Sequence, residues 1–356
     1  MIVRHASLRQ FRSYAALELD LTPGFVLVAG PNGAGKTNLL EALHVGSQGF
    51  SPRTRAEGRL VRFGEAAARV RLDGSEGPVP VSTEVTVTLR EPKRIVVNGA
   101  QAGSADELRG RLSALFFNPD RLAVVKGGPL VRRAYLDRMI GRVLPAAGQL
   151  PGEYARALAQ RNESLRRVRA GLSSREATEP WTQSVAELGT ELDAARAELV
   201  HLLTPGFAEA AESLGLEGAE LGYEQRELTV AALEERLTRD LERGLTGIGP
   251  HLRDLGIRAG DRELRSFGSQ GEQRATVLAL ILAEARLLAE RRGSLPLLLL
   301  DDVLSELDAV RRTSLLAALP RGGQALVTAT SLDAVPAGAP EPALVVVVMP
   351  GEARAA

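Results

Sequence analysis

Residues 30–37 read Gly-Pro-Asn-Gly-Ala-Gly-Lys-Thr. They follow the apolar run Phe25-Val26-Leu27-Val28-Ala29 and lead into Asn38-Leu39-Leu40-Glu41-Ala42-Leu43, whose apolar residues recur at helical spacing. A buried strand that turns through glycines straight into a helix fits few architectures. In that setting G-x-x-x-x-G-K-[ST] is a phosphate-binding loop. Glycines let backbone N–H groups approach phosphate oxygens, and the helix N-terminus adds partial positive charge. Lys36 is placed to reach the β- and γ-phosphates, and the Thr37 hydroxyl to ligate Mg²⁺. The expected ATP contacts are Gly30, Pro31, Asn32, Gly33, Ala34, Gly35, Lys36, Thr37 and Asn38. Lysine is otherwise scarce, since only Lys93 and Lys126 accompany Lys36, so chance does not readily produce the pattern.

Such a loop needs a carboxylate from a neighbouring strand, and Leu297-Leu298-Leu299-Leu300-Asp301-Asp302 supplies one. Four leucines suit a strand buried on both faces, with the acids at its end. Asp301 is assigned to Mg²⁺, and Asp302 to orienting or deprotonating the attacking water. With Lys36 they form the expected catalytic set. A strand merely capped by acids is common, so the pairing with the loop carries the assignment. Residues 2–8, 16–21 and 82–89 alternate apolar and polar, and Asn98-Gly99 reads as a turn. Residues 129–245 have mainly helical spacing without sustained heptads. The C-terminal part alternates apolar runs with helical stretches, which implies a parallel sheet covered on both faces. The expected fold class is α/β, a mixed sheet around the phosphate loop with helices on both faces and a β-rich subdomain. Residues 1–120 and 246–356 would form this head, and 121–245 an inserted compact α-helical lobe.

Formal net charge is zero, but the charges are segregated. From Arg121 to Arg175 twelve Lys/Arg stand against three acids, and from Glu176 to Glu242 sixteen acids stand against four Arg. A neutral total therefore hides a basic stretch able to follow a phosphate backbone, although solvated helix faces give the same pattern. The absence of cysteine and four scattered histidines argue against disulfides and metal clusters. No apolar stretch reaches the length of a membrane helix, and Met1-Ile2-Val3-Arg4-His5 has no signal-peptide core. The expectation is a cytoplasmic protein with no membrane partner.

Ser269-Gln270-Gly271-Glu272-Gln273-Arg274 opens a long helical stretch. Ser269 with Glu272 three residues on reads as a capping box. The order S-x-G-[QE], apolar strand, carboxylate also resembles the ATP-binding-cassette (ABC) ATPases. Ser305-Glu306-Leu307-Asp308 fits the D-loop of that class, and equally a helix cap. Further motifs are Leu8-Arg9-Gln10-Phe11-Arg12-Ser13-Tyr14, Asn118-Pro119-Asp120, Lys126-Gly127-Gly128-Pro129, Arg132-Arg133, Tyr135-Leu136-Asp137, Gln160-Arg161-Asn162 and Val327-Thr328-Ala329-Thr330. With these the chain resembles the RecF family of SMC-like ATPases over nearly its whole length.

That resemblance implies a slow Mg²⁺-dependent ATPase, DNA-stimulated, that forms an ATP-dependent homodimer. Ser269 and Gly271 would bind ATP in trans, with Asp308 and Arg12 as further nucleotide contacts. The dimer would clamp double-stranded DNA and junctions of single and double strands in DNA repair, replication and the SOS response. It would act with RecR and RecO and, through them, RecA. Asp302 stands where ABC ATPases carry glutamate, and no switch histidine follows residues 325–329, both of which suit slow hydrolysis. Candidate DNA contacts are Arg53, Arg55, Arg59 and Arg62, and in the lobe Arg161, Arg166, Arg167 and Arg169, the alternative for Arg161, with Asn162 and Glu163, being to stabilise the lobe. The alternatives are a nucleotide-binding subunit of an ABC transporter and an ATP-sensing protein scaffold.

Overall fold

The apolar run after Gly24 becomes the strand Gly24–Ala29, buried from Phe25 to Ala29. Gln324–Ala329 and Leu344–Met349 flank it, both parallel to it. The sheet has six strands in the order Glu352–Ala355, Leu344–Met349, Gly24–Ala29, Gln324–Ala329, Leu297–Leu300, Ala114–Phe117. Strands from both ends of the sequence thus share one sheet, as expected. Continuous apolar runs are what burial on both faces demands. The register pairs Leu300 with Phe117 and with Val327, and Ala329 with Ala29, so the carboxyl ends of these four strands fall within two residues of one another. This computed structural model describes residues 1–305 and 307–356, and of Asp106 the backbone alone.

A second six-stranded sheet is antiparallel, in the order Tyr14–Asp20, Ile2–Phe11, Ala67–Glu76, Val79–Thr88, Arg94–Val97, Ala100–Gln101. The helix Lys36–Gln48 is buried except at Thr37 and Asn38. Thr83 Oγ1 donates to Gly46 O of this helix at 2.8 Å. A Cβ on Gly46 would stand 2.6 Å from the Leu72 side chain, so glycine is what permits the close approach.

By contacts the chain divides into two units, 1–121 with 209–216 and 270–356, and 122–208 with 217–269. The sequence placed the return to the head at 246, and the difference has a cause in strand pairing. Ala219–Tyr223 pairs antiparallel with Leu255–Ala259, which also pairs with Arg262–Glu263. The lobe is therefore not wholly helical. Its first strand is only five residues long, buried at Ala219 and Leu221, and its partner is remote in sequence.

The helix Glu179–Ser213 also runs past Pro205 without a break. Leu203, Phe207 and Ala211, four residues apart on one face, are all buried, and that packing outweighs the lost hydrogen bond. Among the described residues no helix is long and apolar enough to cross a membrane.

Candidate nucleotide site

Three glycines shape the loop, each for its own reason. A Cβ on Gly30 would lie 2.3 Å from Val348 O, on the neighbouring strand. Gly33 and Gly35 hold φ of +79° and +112°, and a Cβ on Gly35 would also meet Ser13 Oγ at 3.0 Å. Tyr14 OH donates to Gly35 O at 3.0 Å, which clamps the turn from the antiparallel sheet. The first backbone bond inside the helix runs from Leu39 N–H to Gly35 O at 3.0 Å. Helical geometry leaves the N–H groups of Lys36, Thr37 and Asn38 without intrahelical acceptors, aimed out of the helix end.

Lys36 is 8% exposed, and its Nζ donates to Gly30 O at 2.7 Å and Pro31 O at 3.0 Å. Burial pushes its pKa down, while Asp302 and Asp301 hold it up. Asp301, 6% exposed, follows the strand Leu297–Leu300. Its Oδ1 accepts from Thr37 Oγ1 at 3.0 Å and from Thr328 Oγ1 at 3.1 Å. Burial pushes its carboxyl above the ordinary range. The two hydroxyls and Arg53 oppose that, and Asp302 reinforces it. The Thr328 hydroxyl also accepts from Asp302 N–H at 2.7 Å. Asp302 itself sits at φ +53°, in the left-handed region. Non-glycine residues held there cluster at functional sites.

Beside the loop Glu41 is fully buried on the helix that follows it. Arg12 Nε and Nη2 grip it from one side at 2.9 and 2.8 Å, a bidentate pair. Arg53 Nη1 reaches Glu41 Oε2 at 3.0 Å and Asn38 Oδ1 at 3.2 Å, and Ser51 Oγ also donates to Glu41. Asn38 Nδ2 in turn donates to Ser13 Oγ at 3.0 Å. Arg12 is thus brought to the loop helix. Arg53, expected among DNA contacts, is tied to the same carboxylate. Glu41 carried no recognisable signal of its own, because it acts through Arg12 and Arg53, 29 and 12 residues away, whereas Thr328 and Tyr14 stood within motifs of the resemblance with no role assigned to either.

Ser269 directly precedes the helix Gln270–Arg292, and Gly271 lies in its first turn. Asp308 caps the helix Ala309–Ala317, accepting from Arg311 N–H at 2.8 Å. The expected D-loop contains Glu306, which lies outside the described residues.

Among the expected DNA contacts Arg161 is corrected. It is fully buried, bonded through Nη1 to Asp240 at 2.9 Å and Thr246 at 2.7 Å and through Nε to Thr182 at 3.1 Å. It cross-links the lobe and has no surface to offer a phosphate. Arg55 is exposed, as are Arg166, Arg167 and Arg169 in the last turn of Leu150–Arg169. Arg166 pairs with Glu163 at 2.8 Å.

Residues 2–339 match the family model described as the RecF/RecN/SMC N terminal domain. A protein named DNA replication and repair protein RecF, from Heliobacterium modesticaldum, is 35% identical over 348 residues, covering 94% of each chain. One of the same name from Halalkalibacterium halodurans is 32% identical over 350 residues, again with 94% of each covered. Among solved structures, the recombination mediator protein RecF with ATPrS, described as part of the RecFOR pathway, superimposes with a TM-score of 0.85 at 28% identity. It covers 99% of this chain and 98% of its own. An Smc head bound to the C-winged helix domain of ScpA gives 0.62 at 17% identity, a likeness of fold, over 100% of this chain and 97% of its own.

Proposed function

The chain belongs to the RecF family within the RecF/RecN/SMC N-terminal domain proteins, and from that premise we propose that it is an ATP-driven DNA clamp of recombinational repair. The observation that carries this reading is the meeting of Lys36, Thr37 and Asp301 at the carboxyl ends of neighbouring parallel strands of one mixed sheet. Ligands of open α/β sheets bind outside those ends.

The Lys36 ammonium rests on two loop carbonyls, so arriving phosphate oxygens replace those acceptors without moving the lysine far. Thr37 Oγ1 and Asp301 Oδ1, 3.0 Å apart, would hold Mg²⁺, both being the hard oxygen donors that ion takes. When bound, Mg²⁺ neutralises charge developing between the β- and γ-phosphates. Asp302, bonded through its N–H to the hydroxyl that holds Asp301, orients or deprotonates the attacking water. Its short arm and the threonines at the end of Gln324–Ala329 suit slow turnover, a timer for release. Ser269 and Gly271 bind the γ-phosphate of a second copy in trans, with Asp308 beside the shared nucleotide. Two copies then close on double-stranded DNA, favouring single-strand/double-strand junctions, and cooperate with RecR, RecO and RecA.

Light scattering with ATP and Mg²⁺, then with ADP, tests the reading. The wild type dimerises with ATP only, and Lys36→Met and Ser269→Arg both remain monomers. A dimer of Ser269→Arg would remove the trans role and leave Ser269 as a helix cap.

A further inference from the structure

The turn Arg62-Phe63-Gly64-Glu65 plays no part in the nucleotide site. Phe63 is fully solvent-exposed, at 102%, the highest value among the described large apolar side chains. Its backbone is nonetheless tied down. Glu65 N–H donates to Arg62 O at 3.0 Å, and Gly64 has φ +87°, as the third residue of a type II turn requires. Arg62 N–H donates to Gln10 O at 2.8 Å, Val61 bridges Phe11, and Arg12 N–H donates to Leu60 O at 2.9 Å. From the other side Leu89 N–H donates to Ala66 O at 3.2 Å, and Lys93 pairs with Glu57. The ring is therefore held at the apex of a braced turn, and little further order is lost when something packs on it.

Basic side chains outnumber acids around the ring, with Glu65 half-buried in the turn, Glu91 exposed beside Arg90, and Glu57 paired with Lys93. Arg55 and Arg59 precede the turn and are exposed, and Arg62 adjoins Phe63. Arg90 and Arg94 are exposed on the segment tied to it through Leu89 and Lys93. Leu89, 59% exposed, is a single apolar neighbour among charged ones, too little rim for an apolar protein partner, and guanidinium groups oppose the same patch on a second copy. A nucleic-acid strand with an open base face satisfies both features, since the base stacks on the ring and its phosphates follow the arginines. A continuous duplex offers no such face. The turn also shares its anchor with the nucleotide site, because Arg12 holds Leu60 by its N–H and Glu41 by its guanidinium.

We propose that Phe63 stacks on an unpaired base of single-stranded DNA beside a duplex, with the neighbouring arginines on the flanking phosphates. This rests on the clamp reading above and names the residue by which the clamp tells a junction from uniform duplex.

The test uses full-length protein with ATP and Mg²⁺, a gapped duplex and a blunt duplex. The gapped DNA carries 2-aminopurine at the unpaired position next to the junction. Wild type quenches the probe. Phe63→Ala loses the quench and binds gapped DNA about tenfold more weakly. On blunt duplex its affinity and salt slope stay those of wild type, because no phosphate contact is removed. Phe63→Trp restores quench and affinity, and ATP turnover without DNA is unchanged in both variants. Unaltered affinity and quench in Phe63→Ala overturn the proposal, as does an equal loss on both DNAs. Loss of the ATP-dependent dimer in the absence of DNA also overturns it and identifies a second copy as the occupant. If wild type itself binds neither DNA, the clamp reading fails and the proposal with it. Intact wild-type binding with an indifferent variant removes Phe63 alone.

Discussion

Asp301 is positioned by hydroxyls from two different elements, Thr37 on the loop helix and Thr328 on the adjacent strand. Thr328 is the more revealing partner, since it donates to Asp301 and accepts from Asp302 N–H. Valine has the same shape and neither bond. Thr328→Val is therefore expected to cost about 1–3 kcal/mol in urea unfolding, because a buried N–H and a carboxylate lose their partner. ATP affinity should change little, while single-turnover hydrolysis should fall at least about tenfold as both acids lose their orientation. Equal hydrolysis rates would show that Thr328 is only a structural tie. Glu41 belongs to the same scale. A fully buried carboxylate persists because two arginines and a serine satisfy it.

At the scale of elements the strand, loop and first helical turn act as one piece whose geometry only glycine allows. Gly35→Ala places a side chain at φ +112° and against Ser13 and Tyr14. It should destabilise the nucleotide-free protein by about 1–3 kcal/mol and remove ATP binding, read by thermal melting and by titration.

In the lobe a second junction depends on pH. His251, in the turn Pro250–Leu252, meets Tyr154 OH through Nδ1 at 2.7 Å and Thr246 O through Nε2 at 3.1 Å. A neutral ring protonated on Nε2 fits both. Burial pushes its pKa below 6.5, with Arg133 and Arg196 adding and Thr246 and Asp240 opposing. For a histidine depressed in the fold, the stability is present above the ordinary pKa and is lost as pH falls from there through the lowered value. His251→Gln should therefore cost about 1 kcal/mol at pH 8, and the gap to wild type should shrink as the pH is lowered past 6.5. A pH-independent gap between their melting curves would contradict this.

For the whole molecule the question is which basic residues hold the lobe together and which face outward. Arg161→Ala strands Asp240, itself 1% exposed, and should cost about 3–5 kcal/mol in unfolding. Arg166→Glu, Arg167→Glu and Arg169→Glu together should leave the melting temperature within a few degrees and weaken DNA binding at fixed salt, with ATP affinity unchanged. Unaltered DNA affinity would take that surface out of the clamp. The sequence by itself determined the phosphate loop, the leucine strand with Asp301 and Asp302, and the sharing of one sheet by the two ends of the chain. Each is written locally, as a glycine pattern, an apolar run or a carboxylate beside one. Only the tertiary structure decided that Arg161 is buried, that Arg53 turns to Glu41, that Thr328 holds Asp301, and that residues 219–259 add strands to the lobe. Those outcomes depend on partners 12 to 85 residues away, and burial and pairing are properties of the folded neighbourhood that no local pattern contains.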